Sequence, residues 1–209
     1  LPFVGVGWYR LDFEAPSFAK GKQATLIFDG AMSHARVYVN GKEAGYWPYG
    51  YNSFHLDVTP YLKAGEVNEL AVRLENENES SRWYPGAGLY RNVHLVVTED
   101  AYVPTWGTKV TTPMVKDKFA KVHLETQWNM PKGKKISDYT IATQILNPEG
   151  KQVNADTRPG NELDETLFAQ DFVVRNPKLW SVEYPHLYTA VSKIYEGDRL
   201  VDEYTTRFG

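Results

Sequence analysis

The sequence predicts an all-β protein built as two sandwiches. Apolar residues recur at every second position in one segment after another, the period of a strand with one buried face. Pairs of glycine, proline, asparagine and aspartate separate these segments at short intervals. No stretch holds a helical apolar period for more than about one turn. A chain of 209 residues is long enough for two ordinary domains. The pattern changes near Glu99 to Tyr102, so the domains are expected over 1–100 and 101–209, abutting without a Gly/Ser linker.

In order, Trp8 to Phe13 alternates, with Trp8, Arg10 and Asp12 against Tyr9, Leu11 and Phe13. Ala24 to Phe28 and Ala35 to Val39 are the next strands. Asn40-Gly41 follows, the pair best suited to a type I′ hairpin because both central residues need φ > 0. Lys42 to Tyr46 returns from it, and Trp47 to Ser53 is a loop rich in rings. Phe54 to Val58 is a strand, and Thr59-Pro60 predicts a single helical turn. Leu70, Val72 and Leu74 mark another strand. Ser80 to Gly88 is an irregular loop in which Pro85, Gly86 and Gly88 break regular geometry, and Leu89 to Val97 alternates as the strand after it.

The second half repeats the theme. Strands are expected over Trp106–Val110, Lys121–Trp128, Thr140–Leu146 and Leu167–Val174, and as a Tyr188–Tyr195/Leu200–Phe208 hairpin, with Thr157–Asp164 as a polar loop. The strand count and length match an immunoglobulin-like sandwich, without its cysteine pair.

Composition narrows the function. A net charge of −3 and the lack of a Lys/Arg run argue against a nucleic-acid binder. The chain has no cysteine, which removes disulfides, thiolate catalysis and Cys-ligated zinc together. No apolar run approaches ~18 residues, so no membrane span is expected. Leu1 is not an initiator Met, and the opening reads as partway into a protein. The expectation is therefore a piece of a longer polypeptide.

Few residues point to chemistry of their own. His34, His55, His94, His123 and His186 stand in no ligand-pair spacing, and no metal or cofactor is expected. The acidic run Glu75–Glu79 lacks the glycine and distal glutamate of a calcium loop. Asn78-Glu79-Ser80 is a glycosylation sequon by pattern alone. Glycoside hydrolysis needs two facing carboxylates, and nothing marks a pair among the 26 acidic residues. The remaining signal is aromatic. Trp47, Tyr49, Tyr51, Trp83 and Tyr84 supply flat rings for the C–H faces of sugars, with Ser81, Arg82 and Asn52 as polar neighbours. The same loops would equally serve as packing at a sandwich end or as a domain interface.

Ser81-Arg82-Trp83-Tyr84-Pro85-Gly86-Ala87-Gly88-Leu89-Tyr90-Arg91-Asn92-Val93 resembles the end of the N-terminal sugar-binding domain of glycoside hydrolase family 2, the β-galactosidase, β-glucuronidase and β-mannosidase family. Gly7-Trp8-Tyr9-Arg10, Phe28-Asp29-Gly30, Val37-Tyr38-Val39-Asn40-Gly41 and Gly50–Thr59 fit its earlier strands in order. Trp106-Gly107-Thr108, Leu179-Trp180-Ser181 and Pro185–Tyr188 are similar to its second domain. The wording is most similar to bacterial β-galactosidases.

The resemblance implies a galactose-binding-like jelly roll, lacking its first strands, followed by an immunoglobulin-like sandwich. A catalytic (β/α)₈ barrel carrying both glutamates would begin after Gly209. It also implies hydrolysis of terminal β-galactosides with retention by the parent enzyme, no catalytic residue within this chain, and a periplasmic or secreted bacterial location. Arg82, Trp83 and Tyr84 are then the substrate-binding candidates, with Arg82 standing where some members carry an aspartate. Trp47, Tyr49, Tyr51, Pro85, Gly86 and Gly88 are the candidates for an interface with the barrel. A free-standing carbohydrate-binding module and an adhesive sandwich pair are the rival expectations.

Overall fold

The computed structural model describes residues 4–18 and 21–209. It divides into two compact units, Leu1–Thr98 and Glu99–Gly209. Strand pairing throughout is antiparallel, and helix is limited to the 3-10 turns Ile136–Asp138 and Gly160–Glu162 among the described residues.

The first unit holds β1 (Gly5–Glu14), β2 (Gln23–Phe28), β3 (Ala35–Val39), β4 (Lys42–Trp47), β5 (Phe54–Asp57), β6 (Val67–Asn76) and β7 (Val93–Thr98). One sheet runs β1-β6-β3-β4 and the other β5-β2-β7. Alternation decides which residues go inside. Ala24, Leu26 and Phe28 of β2 and Ala35, Val37 and Val39 of β3 face one core with Val72 and Leu74 of β6. Asn40 and Gly41 take φ values of 50° and 76°, the paired positive angles of the expected hairpin. Asn68 is buried but satisfied. Its carbonyl accepts from Lys63 N at 2.8 Å and Asn40 Nδ2 at 2.7 Å, and its amide donates to the carbonyls of Lys63 and Glu66. Thr59 does not cap the turn after β5. Its hydroxyl accepts instead from Ala24 N at 2.9 Å, tying that turn to β2.

The second unit holds β8 (Thr108–Lys116), β9 (Phe119–Gln127), β10 (Tyr139–Leu146), β11 (Gln152–Pro159), β12 (Leu167–Arg175), β13 (Tyr188–Glu196) and β14 (Arg199–Phe208). Its sheets run β11-β10-β13-β14 and β12-β9-β8. A polar bridge crosses its core: Thr143 Oγ1 of β10 donates to Gln170 Oε1 of β12 at 2.7 Å and lies 3.1 Å from Ser192 Oγ of β13.

Two sequence expectations need correction. The segment expected as a polar loop from Thr157 begins inside β11, where pairing with β10 holds a strand whose half-buried face is the polar set Asn154, Asp156 and Arg158 and whose apolar Val153 and Ala155 are exposed. The strand expected from Leu89 starts only at Val93. Leu89 still packs on the core, while the chain between it and Val93 turns to place Tyr90 and Arg91 over the loop end.

Candidate functional site at one end of the first sandwich

The loops 29–34, 47–53 and 76–92 gather at the end of the first unit where β2 finishes and β7 begins. Met32 is the joint between them. Its N–H and C=O exchange hydrogen bonds with the C=O and N–H of Gly88, both at 3.0 Å. Its sulfur lies against Gly50, and a Cβ at that glycine would collide with it. Tyr90 makes a second joint: its hydroxyl donates to Gly50 O at 2.8 Å, and its ring fills the space beside Gly30. Both glycines are needed because a neighbour occupies the place of a side chain.

Asp29 is the third joint. Its N–H donates to Asn92 O at 3.0 Å, and its carbonyl accepts from Ser53 Oγ at 3.1 Å and from Arg91 at 3.3 Å. Its carboxylate lies 3.2 Å from His94 Nε2. Three loops without regular structure are thus held by backbone and side-chain bonds, as a presented surface requires.

On this base stands the 81–88 loop. Ser81 Oγ donates to Trp83 O at 2.5 Å and accepts from Trp83 N at 3.3 Å, a local turn that fixes the tryptophan. Asn76 Nδ2 donates to Tyr84 OH at 3.4 Å. Trp83 is 66% exposed and Tyr84 49%, so both rings face outward, and Arg82 beside them is exposed as well. In the neighbouring loop Tyr49 and Tyr51 meet edge to face, with centroids 5.6 Å apart, and both are about half exposed.

Not every expected residue joins this surface. Trp47 is the last residue of β4, and its ring stacks on Phe54 at 5.6 Å within the core. It follows the strand's inward alternation rather than the loop. Gly88 is buried at the loop's base, with φ of +100° and the Tyr9 hydroxyl against it. Pro85 and Gly86 are half-buried flanks. Met32 was not singled out in the sequence, and Asp29 and Tyr90 stood there only as members of family motifs, without a role at this site.

The arrangement can stack flat rings on a ligand and offer hydrogen bonds around them. Of the nearby carboxylates, Glu75 pairs with Arg73 at 3.0 Å and Glu77 lies 3.5 Å from His34 Nε2. Neither contact is the pair of facing acids that glycosidic cleavage uses. Among the described residues no group of three acidic or histidine side chains is placed to hold a metal.

Comparison with known proteins identifies the scaffold. The profile of the sugar binding domain of glycosyl hydrolases family 2 matches residues 2–99, and a second profile, of glycosyl hydrolases family 2, matches residues 102–209. Beta-galactosidase BoGH2A of Bacteroides ovatus is 41% identical over 209 residues, an alignment covering 98% of this chain and 24% of that protein. A beta-glucuronidase of Formosa agariphila is 29% identical, covering 98% of this chain and 23% of that protein. The crystal structure of a family 2 member from Bacteroides cellulosilyticus superposes with a TM-score of 0.90 at 32% identity, covering 98% of this chain and 27% of that one. The chain spans about a quarter of the length of these relatives. It is all-β, as the alternation predicted, and it belongs to glycosyl hydrolases family 2, of which it forms an N-terminal part.

Proposed function

We propose that these two domains serve a β-galactosidase by bracing its catalytic barrel and lending the 81–88 loop to one wall of the active site. The observation that carries this is the exposure of Trp83 and Tyr84 on a loop whose base is fully tied down through Met32 and Gly88. Rings held this way suit stacking on a sugar or on a neighbouring domain, and Tyr49 and Tyr51 extend the same surface. Galactoside is favoured over glucuronide by the 41% identity to a relative named beta-galactosidase, against 33% and 29% to two relatives from Formosa agariphila named putative beta-glucuronidase and beta-glucuronidase. The chemistry itself belongs to residues beyond this chain, and the location is periplasmic or secreted.

The test compares the chain alone with its natural-length polypeptide on chromogenic β-galactoside and β-glucuronide. Turnover of the galactoside by the long form only is the expected result. Enzyme-like turnover by residues 1–209 would sink the bracing role, and preference for the glucuronide would reassign the substrate. The exposed rings of Tyr49, Trp83 and Tyr84 also favour a second reading, an independent carbohydrate-binding module. Calorimetry on residues 1–209 separates the two: a module saturates with sugar and loses this on Trp83→Ala, whereas a brace shows no saturable binding.

A further inference from the structure

The outer face of the sheet β1-β6-β3-β4 carries a row of side chains that the core does not use. Backbone register lines them up. Trp8 of β1 lies opposite Arg73 of β6, Arg73 opposite Arg36 of β3, and Arg36 opposite Tyr46 of β4. A ring stands at each end and two arginines stand between. Like charges directly opposite one another weaken strand pairing, so the arginine pair costs the sheet rather than supporting it.

Both rings are held and still exposed. Trp8 packs on Tyr38 with centroids 5.6 Å apart, and Ala71, opposite Tyr38 on this outer face, is only 5% exposed. Trp8 itself remains 51% exposed. His34 Nδ1 lies 2.6 Å from the Tyr46 hydroxyl and the Arg36 guanidinium 4.8 Å from the Tyr46 ring centroid, yet Tyr46 stays 42% exposed. Three strand spacings, about 14 Å, separate the backbones that carry the two rings, the reach of a short oligosaccharide. Tyr9, which seats Gly88 of the 81–88 loop, points to the opposite side of β1 from Trp8.

Charge narrows the occupant. Arg73 meets Glu75 at 3.0 Å, Arg36 meets Glu43 at 2.9 Å, and Arg10 beside them meets Glu69 at 3.6 Å. An anion would have to face these carboxylates. A hydroxyl does not, because it both donates and accepts. Each contact engages one guanidinium nitrogen, which leaves further N–H groups to donate, and the carboxylates keep lone pairs to accept.

We propose that this face is a second glycan site, distinct from the 81–88 loop, taking a neutral β-linked oligosaccharide laid across the four strands. Equatorial β-links keep such a chain extended, so that sugar rings stack on Trp8 and on Tyr46. The hydroxyls between them are bound by the Arg73–Glu75 and Arg36–Glu43 pairs. A single sugar reaches one ring only and does not saturate the site.

Calorimetry of residues 1–209 with the β-1,4-linked hexasaccharides of glucose, mannose and galactose, and with hexagalacturonate as the acidic counterpart, tests this. At least one neutral hexasaccharide should saturate. Its affinity should fall about tenfold or more in Trp8→Ala and in Tyr46→Ala, one stacking contact each, and stay unchanged in Trp83→Ala. Thermal midpoints are compared alongside, and Tyr46→Ala, on an edge strand, carries the test if Trp8→Ala unfolds. No saturation by any neutral hexasaccharide overturns the proposal, as does saturation by hexagalacturonate alone. Loss of binding in Trp83→Ala with Trp8→Ala unaffected moves the glycan to the loop and overturns it too. Oxidative footprinting extends the test to the natural-length polypeptide. Trp8 and Tyr46 should be oxidised without glycan, and about twofold or more slowly with the hexasaccharide bound, since stacking covers one of two ring faces. Rings already shielded without glycan mean that another part of the enzyme covers this face, which overturns the proposal.

Discussion

Two tryptophans of the first sandwich have opposite surroundings. Trp47 ends β4 and lies on Phe54, whose other face stacks on Phe28 with centroids 4.7 Å apart and planes 4° from parallel. Trp83 sits in the 81–88 loop, anchored through its own backbone to Ser81, and is 66% exposed. Both are followed closely by proline and glycine, and both read alike as ring-bearing loop residues. The difference is that Trp47 continues an alternating strand, so its ring goes where the pleat sends it. Trp83 follows no strand, and the loop's hydrogen bonds place it without giving it neighbours to bury against. Of these two rings, the one on the paired strand is structural and the one on the unpaired loop is available.

The largest expected effect tests the buried side of that contrast. Phe54 is 2% exposed and sandwiched between two rings. Phe54→Ala should cost ~3–5 kcal/mol, from lost burial and the cavity left behind. Denaturant unfolding of residues 1–209, followed by tryptophan fluorescence, measures it. A loss below ~1 kcal/mol would mean that the stack is not the centre of the core.

Next in size is the loop's base. Gly88 has φ of +100°, a region L residues rarely enter, and the Tyr9 hydroxyl fills its open side. Gly88→Ala should cost on the order of 1–3 kcal/mol in backbone strain, with the Tyr9 side chain displaced. Gly86 has φ of +92° and open space around it, so Gly86→Ala carries the strain alone and should cost less. A double-mutant cycle with Tyr9→Phe separates the two effects, because removing the hydroxyl should recover part of the loss at Gly88 and none at Gly86. Equal coupling at both glycines would show that the loop is not seated on Tyr9.

The same contrast applies to charge in the second sandwich. Burial raises the Asp202 carboxyl above the ordinary carboxylate range, although it accepts a hydrogen bond from Val103 N at 2.8 Å. Glu196, at the surface, is lowered by its bonds to Lys134 and Arg199. The signs are opposite. The folded state holds the Asp202 proton more tightly than the unfolded chain does, so the contribution of Asp202 is full below the unfolded carboxylate pKa and is lost as pH rises through the folded value. Glu196 contributes above its unfolded pKa and loses that as pH falls through its depressed one. Asp202→Asn keeps an oxygen for Val103 N and should therefore gain on the parent as pH rises from about 4 to 7. Thermal midpoints across that range check it, and a constant difference would rule out titration at Asp202.

How much of this was legible follows the same division. Ala35–Val39 and the Asn40-Gly41 hairpin were readable residue by residue, because alternation and the need for positive φ are both local. β11 was not readable, since its inward face is the polar set Asn154, Asp156 and Arg158 rather than an apolar one, and it exists through its pairing with β10. At the site, the exposed rings of Trp83 and Tyr84 were named from the sequence. The parts that hold them were not. Tyr90 reaches Gly50 and Met32 reaches Gly88 across distant stretches of chain, and neither contact leaves a mark in the local pattern. Trp47 was misplaced for a related reason: Pro48 made its neighbourhood look like loop one residue too early.

The smallest expected change in stability falls at Trp83, and there it matters most. With two-thirds of its surface already in water, its removal from residues 1–209 should shift stability by no more than ~0.5 kcal/mol. The Ser81 turn uses only the backbone of residue 83, so alanine keeps it. In the natural-length enzyme the same substitution should lower kcat/KM for a β-galactoside on the order of tenfold, the equivalent of one lost stacking contact. Trp83→Phe should restore most of that, since a flat ring suffices for stacking, whereas Trp47→Phe and Trp47→Ala should move stability and leave kcat/KM of the folded enzyme alone. If Trp83→Ala instead destabilises residues 1–209 as much as Phe54→Ala does, the loop ring is core after all and the contrast between the two tryptophans collapses.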